Sequence, residues 1–253
     1  MEASRRSPRG PRPAGLATLL IGACGLPLLP LTSLAAPLPL ASPDGMALLS
    51  SSTARADYGS LAQEFLTQAN LAYCGVASSV MVLNSLLVPA PTVQGYGSYR
   101  FWTQENLWSG LQANTPEAAA PRSKPVVSPE QVQRQGMTLD ELATLLRSHG
   151  LKVRAIHGSE LDEIAFRNQL RRSLNDPGDR LLINYDRRLV GQAGGGHISP
   201  LAAYHAGRDQ VLILDVARYR YPAVWVPLQD LWQAIRGVDT SSGLSRGIVM
   251  VRR

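Results

Sequence analysis

Between Cys74 and Leu87, apolar residues at Val76, Val80, Met81, Leu83 and Leu87 recur at close to helical spacing, and Pro89 stops the run. Thr138 with Glu141 forms a capping box that opens a second helix, ending near Gly150. Leu151 to Ile156 alternates like a strand, and Ser159 to Leu174 reads as an amphipathic helix with a charged face. Asn175-Asp176-Pro177-Gly178 is a turn, after which Leu181 to Tyr185 reads as a buried strand. The pattern then turns β-rich. Ile198 to Tyr204 and Val211 to Val216 are apolar runs joined by Ala206-Gly207-Arg208-Asp209, which predicts a hairpin. A short helix follows from Leu228 to Ile235, between Pro227 and Gly237, and Ile248 to Val251 makes a last strand. Helices come first and a mostly antiparallel sheet second, an α+β layout without internal repeats.

The remaining stretches are rich in proline and small residues. Residues 37–57 read as a linker, so the fold is expected to start near Tyr58 and run to the end of the chain. Residues 113–129, with Pro121, Pro125 and Pro129, read as a surface loop. Upstream, Arg5, Arg6, Arg9 and Arg12 precede an apolar run from Leu16 to Leu31 that closes on Ala35 and Ala36. This is the three-part layout of an export signal over residues 1–36. Pro27 and Pro30 argue against a membrane-spanning helix, which needs about 20 apolar residues. Ile21-Gly-Ala-Cys24 also resembles a lipoprotein box with Cys24 as the lipidated residue. The expectation is an exported, periplasmic protein, either cleaved free or anchored through Cys24.

Loss of residues 1–36 removes four arginines and one glutamate, so the formal charge of +6 falls to +3. That charge, with no basic run interleaved with aromatics, points away from nucleic acid and mildly towards anionic small molecules. Cleavage also leaves Cys74 as the sole thiol, which excludes a disulfide framework. An unpaired thiol in an oxidising compartment is a liability unless it is used, the plain alternative being an inert buried cysteine. Its neighbours favour use. At a helix start the macrodipole favours thiolate over thiol, and Gly75 lets another chain come close.

An imidazole beside the thiolate would lower its pKa and later protonate a leaving amine. His197 is the best of four histidines, because Gly194-Gly195-Gly196 before it leaves space around the ring. His149 at a helix end and His157 at a strand end read as solvated, and His205 falls at the hairpin turn. The imidazole needs an acceptor on its other nitrogen. Asp215, an acid between Leu214 and Val216, is anomalous for a strand interior, and pairing Tyr204 with Val211 brings it near His197. Gln68, six residues before Cys74, would donate its amide to an oxyanion beside the backbone N–H of Cys74.

Gln68-Ala-Asn-Leu-Ala-Tyr-Cys74-Gly-Val-Ala-Ser-Ser, Gly195-Gly-His197-Ile-Ser-Pro and Leu212-Ile-Leu-Asp215-Val-Ala-Arg-Tyr-Arg-Tyr-Pro together resemble the phytochelatin synthase family. The resemblance covers residues 58–253, and it implies a papain-like fold with Cys74, His197 and Asp215 as a triad and Gln68 in the oxyanion hole. It implies glutathione as donor, attacked at its Cys–Gly bond to leave a γ-glutamylcysteinyl thioester. It implies Asp239 and Arg246 as the residues that hold the γ-glutamyl end, with Arg218 and Tyr221 near the site. Read from the residues alone, Asp239 also fits a turn and Arg246 an edge charge. No cofactor is implied for acyl-enzyme formation, although a heavy-metal ion can form part of a thiolate acceptor. Plant members carry a further cysteine-rich domain. The short bacterial members, which mainly release γ-glutamylcysteine to water, are more similar to this chain. Two rivals are a peptidase of the double-glycine leader type and an inactive periplasmic module that binds thiol–metal conjugates.

Overall fold

The computed structural model describes residues 36–109 and 126–253. The expected signal, with Cys24, and most of the expected loop at 113–129 therefore lie outside the described residues. In chain order the elements are β1 (Leu38–Pro39), α1 (Pro43–Ser51), α2 (Tyr58–Gln63), α3 (Cys74–Ser85), α4 (Pro129–Gln135), α5 (Leu139–Ser148) and β2 (Lys152–His157). After these come α6 (Glu163–Ser173), β3 (Asp179–Asp186), β4 (Gly196–His205), β5 (Gln210–Ile213), β6 (Val224–Pro227), α7 (Leu228–Arg236) and β7 (Gly247–Arg252). The seven strands form one sheet in the order β1-β6-β5-β4-β3-β7-β2, antiparallel throughout. The α+β layout is as the sequence predicts.

Alternation along the central strands sorts the core into layers. Leu182 of β3, Ile198 of β4 and Val249 and Val251 of β7 pack with Val76, Val80 and Leu83 of α3 and Leu142 and Leu146 of α5. Leu181, Ile183 and Tyr185 of β3 and Ile248 of β7 pack instead with Phe166 and Leu170 of α6 and Leu231 and Ile235 of α7. Helices thus cover both faces, which is why Leu181, Leu182, Ile183 and Tyr185 are all apolar, with Asn184 the one polar residue among them.

Four elements differ from expectation. Residues 37–57 belong to the fold: β1 pairs Leu38 with Trp225 of β6, and Leu48 and Leu49 of α1 are buried. Pro43 fits because it stands in the first turn, where its missing N–H is not needed, and Ser42 caps the helix by accepting from Gly45 N. At the end of the expected 113–129 loop, Ser128 caps α4 in the same way and Pro129 opens it. The helix expected from Ser159 begins only at Glu163, where Asp162 accepts from Ala165 N at 2.7 Å. Finally, the hairpin pairs Tyr204 with Val211 as predicted, but a bulge between Leu201 and Ala203 shifts the register and β5 ends at Ile213.

Candidate active site

Cys74 is the first residue of α3 and opens onto a cleft between that helix and the sheet. A side chain at Gly75 would press on Met137 and Ile198 at 3.2–3.3 Å, so the small residue lets the helix end sit close against β4. Burial pushes the thiol pKa up, but the hydrogen bond and charge of His197, with help from the Ile198 and Gly75 backbone, bring it below its ordinary value. Burial likewise works against a charged His197, and its bonds to Asp215 and Cys74 outweigh this and raise its pKa. Both shifts favour the thiolate–imidazolium form of the pair.

His197 is the second residue of β4 and stands opposite Tyr185 of β3, whose ring meets it edge-on at 5.8 Å. Its Nε2 lies 2.9 Å from Asp215 Oδ1. The approach is off the N–H axis, so it is an ion pair more than a straight hydrogen bond. With Nε2 turned to Asp215, Nδ1 is left for the thiol. Asp215 lies just beyond the end of β5 and not in a strand interior. Its carboxylate accepts from Ala217 N at 2.9 Å, in an Asx turn that the expected continuous strand would not allow.

Sequence reasoning missed Arg187. Its guanidinium clamps Asp215 with Nη1–Oδ2 at 2.7 Å and Nη2–Oδ1 at 2.9 Å, and it also donates to Gln192 Oε1. Burial would raise the Asp215 pKa, yet His197 and Arg187 hold it well below the usual carboxylate range. In sequence, Asp186-Arg187-Arg188 looks like a solvated charge cluster. The one available signal was that a buried carboxylate beside a histidine needs a full-time cation.

Gln68 is buried, and its backbone N–H donates to Val216 O at 2.9 Å, which seats it beside Asp215. Its Nε2 donates to Asn70 O at 2.6 Å, and its Oε1 has no partner among the described residues. A primary amide has two N–H bonds, so one remains to donate.

Asp239 and Arg246 line the same cleft as Cys74 and His197, a cavity of about 650 Å³. They are 3.7 Å apart, and Arg246 Nη1 donates to Asn184 Oδ1 at 2.7 Å. The guanidinium lies against Gly196, where a Cβ would come within 2.2 Å of Nη1. That glycine therefore makes room for Arg246, beyond the space around the imidazole expected from sequence. Arg246 Nε is buried without a partner among the described residues.

Arg218 and Tyr221 are not brought to the cleft. Arg218 stacks on Phe65 at 4.7 Å, on the outside of the molecule. Tyr221 lies 4.8 Å from the Arg187 guanidinium, and its hydroxyl accepts from Ala193 N at 2.7 Å and donates to Ala193 O at 3.1 Å. It thus packs behind the Asp215 clamp. The other histidines are placed apart from the thiol. His205 Nε2 meets Ser51 Oγ at 3.2 Å, and His157 hydrogen-bonds Ser245 O at 2.5 Å. His149 is not solvated as expected: both ring nitrogens are shielded, Trp102 meets the ring edge-on, and burial lowers its pKa to about 4. Among the described residues, no group of three or more His, Cys, Asp or Glu side chains could hold a metal ion.

Residues 30–248 match the family model of phytochelatin synthase. The chain is 34% identical over 193 residues to glutathione gamma-glutamylcysteinyltransferase 1 of Lotus japonicus, covering 76% of this chain and 35% of that protein. It is 34% identical over 189 residues to glutathione gamma-glutamylcysteinyltransferase 1 of Arabidopsis thaliana, covering 75% and 36% respectively. For glutathione gamma-glutamylcysteinyltransferase of Schizosaccharomyces pombe the identity is 31% over 197 residues, covering 77% and 43%. The matched stretch thus spans well under half the length of these relatives. Among solved structures, a double glycine motif protease from an AMS/PCAT transporter, in complex with its leader peptide, overlaps with 14% identity and a TM-score of 0.41, covering 74% of this chain and 89% of that one.

Proposed function

The chain belongs to the phytochelatin synthase family, and from that premise we propose that it cleaves glutathione between cysteine and glycine through a thioester on Cys74. The Cys74 thiolate attacks the carbonyl carbon of the scissile bond. Negative charge then develops on the carbonyl oxygen, where the backbone N–H of Cys74 and the free amide N–H of Gln68 stabilise it. The His197 imidazolium gives its Nδ1 proton to the departing nitrogen, the C–N bond breaks, and glycine leaves. Asp215, held by Arg187, keeps the imidazole oriented through both halves of the cycle. In the second half His197 takes a proton from water, and hydroxide attack releases γ-glutamylcysteine. Attack by the amine of a second glutathione gives the transfer product, here the lesser activity. A heavy-metal ion enters as part of the substrate, bound to the acceptor thiolate.

The observation that carries this reading is the Asp239–Arg246 pair in the same cleft as the thiol. The γ-linkage of glutathione leaves a free α-ammonium and α-carboxylate on the donor. A carboxylate and a planar guanidinium suit those two groups, and an ordinary α-linked peptide offers neither together at that end. The signal-like start of the chain supports action outside the cytosol.

The test is brief exposure to glutathione, acid quench and intact-protein mass spectrometry. The wild type is expected to carry a γ-glutamylcysteinyl adduct on Cys74 while glycine is released, and Cys74→Ala is expected to show neither. An adduct that persists in Cys74→Ala would remove the nucleophile assignment. Equal rates of glycine release from α-linked and γ-linked Glu-Cys-Gly would reject glutathione as the substrate.

A further inference from the structure

The helix that carries the nucleophile also holds the loop that carries Gln68, and we infer that Gln104 is the positioning residue that joins them. Near the end of α3, Asn84 grips the backbone of Trp102 on both sides, with Nδ2 donating to Trp102 O at 3.0 Å and Oδ1 accepting from Trp102 N at 2.8 Å. The indole is buried and donates to Val88 O at 3.1 Å. The turn that follows closes on itself. Thr103 N donates to Asn106 Oδ1 at 2.8 Å, Asn106 N to Thr103 Oγ1 at 3.2 Å, and Asn106 Nδ2 to Phe101 O at 3.1 Å.

From this braced turn Gln104 reaches back 35 residues in sequence. Its Oε1 accepts from Ala69 N at 2.9 Å and its Nε2 donates to Thr67 O at 3.0 Å. The two bonds straddle Gln68. An amide side chain can do this because it offers a donor and an acceptor side by side, as a neighbouring strand would. Residues 64–69 have no strand ladder of their own, so Gln104 supplies what secondary structure otherwise would. The backbone of Gln68 is thereby fixed between Gln104 and Val216 O.

This assignment rests on the reading of Gln68 as an oxyanion donor. Such a donor helps only when it is aimed before charge develops. A shift of about 1 Å in a reacting geometry can cost a factor of about a hundred. Gln104 touches neither substrate nor thiol, so its effect must pass through Gln68.

The experiment is a double-mutant cycle on glycine release from glutathione, with iodoacetamide alkylation of Cys74 as a second readout. Alkylation is a displacement at saturated carbon and forms no oxyanion. Gln68→Ala is expected to lower kcat by about a hundredfold. Gln104→Ala is expected to lower it by about tenfold with KM nearly unchanged, and the double variant to match Gln68→Ala alone. Alkylation should proceed at the wild-type rate in all three. Gln104→Glu, which keeps the acceptor for Ala69 N but loses the donor to Thr67 O, should fall between wild type and Gln104→Ala. Independent, additive losses in the double variant would overturn the role of Gln104 while leaving Gln68 in place. Alkylation that slows with kcat would overturn it too, by showing a general effect on α3. If Gln68→Ala turned over normally, the oxyanion reading itself would fall.

Discussion

At the scale of single residues, Arg187 and Asp215 behave as one object. Both are buried, and the carboxylate has no solvent to fall back on if the guanidinium is removed. Arg187→Met keeps the stem and deletes the charge, and breaking a buried pair from one side typically costs about 3–5 kcal/mol. Arg187→Met/Asp215→Asn should recover part of that loss, because no unpaired charge remains, while staying inactive. Urea unfolding followed by circular dichroism checks this, and identical midpoints for single and double variants would show that the clamp is not what stabilises the carboxylate. The thiol and imidazole set a pH window of their own. Cys74 has its pKa lowered and His197 has it raised, and both shifts widen the pH range that favours thiolate together with imidazolium. Single-turnover glycine release should therefore fall on the acid side as the thiolate gains a proton. It should fall on the alkaline side as the imidazolium loses one, with apparent values that belong to the pair. Asp215 helps to raise His197, so Asp215→Asn should move the alkaline limb to lower pH. An unmoved limb would place the orienting group elsewhere.

At the scale of elements, α1 is the part the sequence concealed. Residues 37–57 have the composition of a linker, and nothing in their periodicity betrays a helix of nine residues. The reason lies in partners far along the chain. Trp225 Nε1 donates to Gly45 O at 3.0 Å, and Leu40 N donates to Ala223 O at 2.8 Å. Gly45 is the close contact, since a Cβ there would come within 2.2 Å of Pro39 O. Gly45→Ala must push α1 away from the Pro39–Leu40 backbone at the end of β1, and overpacking of this kind costs about 1–3 kcal/mol. A thermal melt unchanged by Gly45→Ala would mean that α1 contributes nothing to the core. By contrast, α3, α5, the hairpin and β7 were legible, because local signals and tertiary packing agree there. The Thr138 capping box forms as predicted, with Glu141 closing on the Thr138 backbone at 2.8 Å. That Cys74, His197 and Asp215 come together was legible by residue type and order. Arg187, Asn184 and Gln104 were not, because a polar side chain that serves another side chain has no spacing rule in one dimension.

At the scale of the whole molecule, the cleft draws on residues from Asn70 to Arg246, so it assembles only when the sheet closes with both helical layers in place. Activity and global structure should be lost together on unfolding. That assembly leaves polar groups unpaired. Arg246 Nε and Gln68 Oε1 are buried without partners among the described residues, and an unmet buried polar group typically costs about 1–3 kcal/mol. Replacing the pair as a whole, in Arg246→Leu/Asp239→Leu, leaves neither charge behind and should raise the melting temperature while abolishing the proposed preference for glutathione, and a lower melting temperature would show that Asn184 and Asp239 already satisfy the guanidinium. On the proposed reading, the unpaired nitrogen sets heat tolerance against selectivity. A lineage selected only for endurance would lose this arginine early, and one that retains it records continued selection by a ligand.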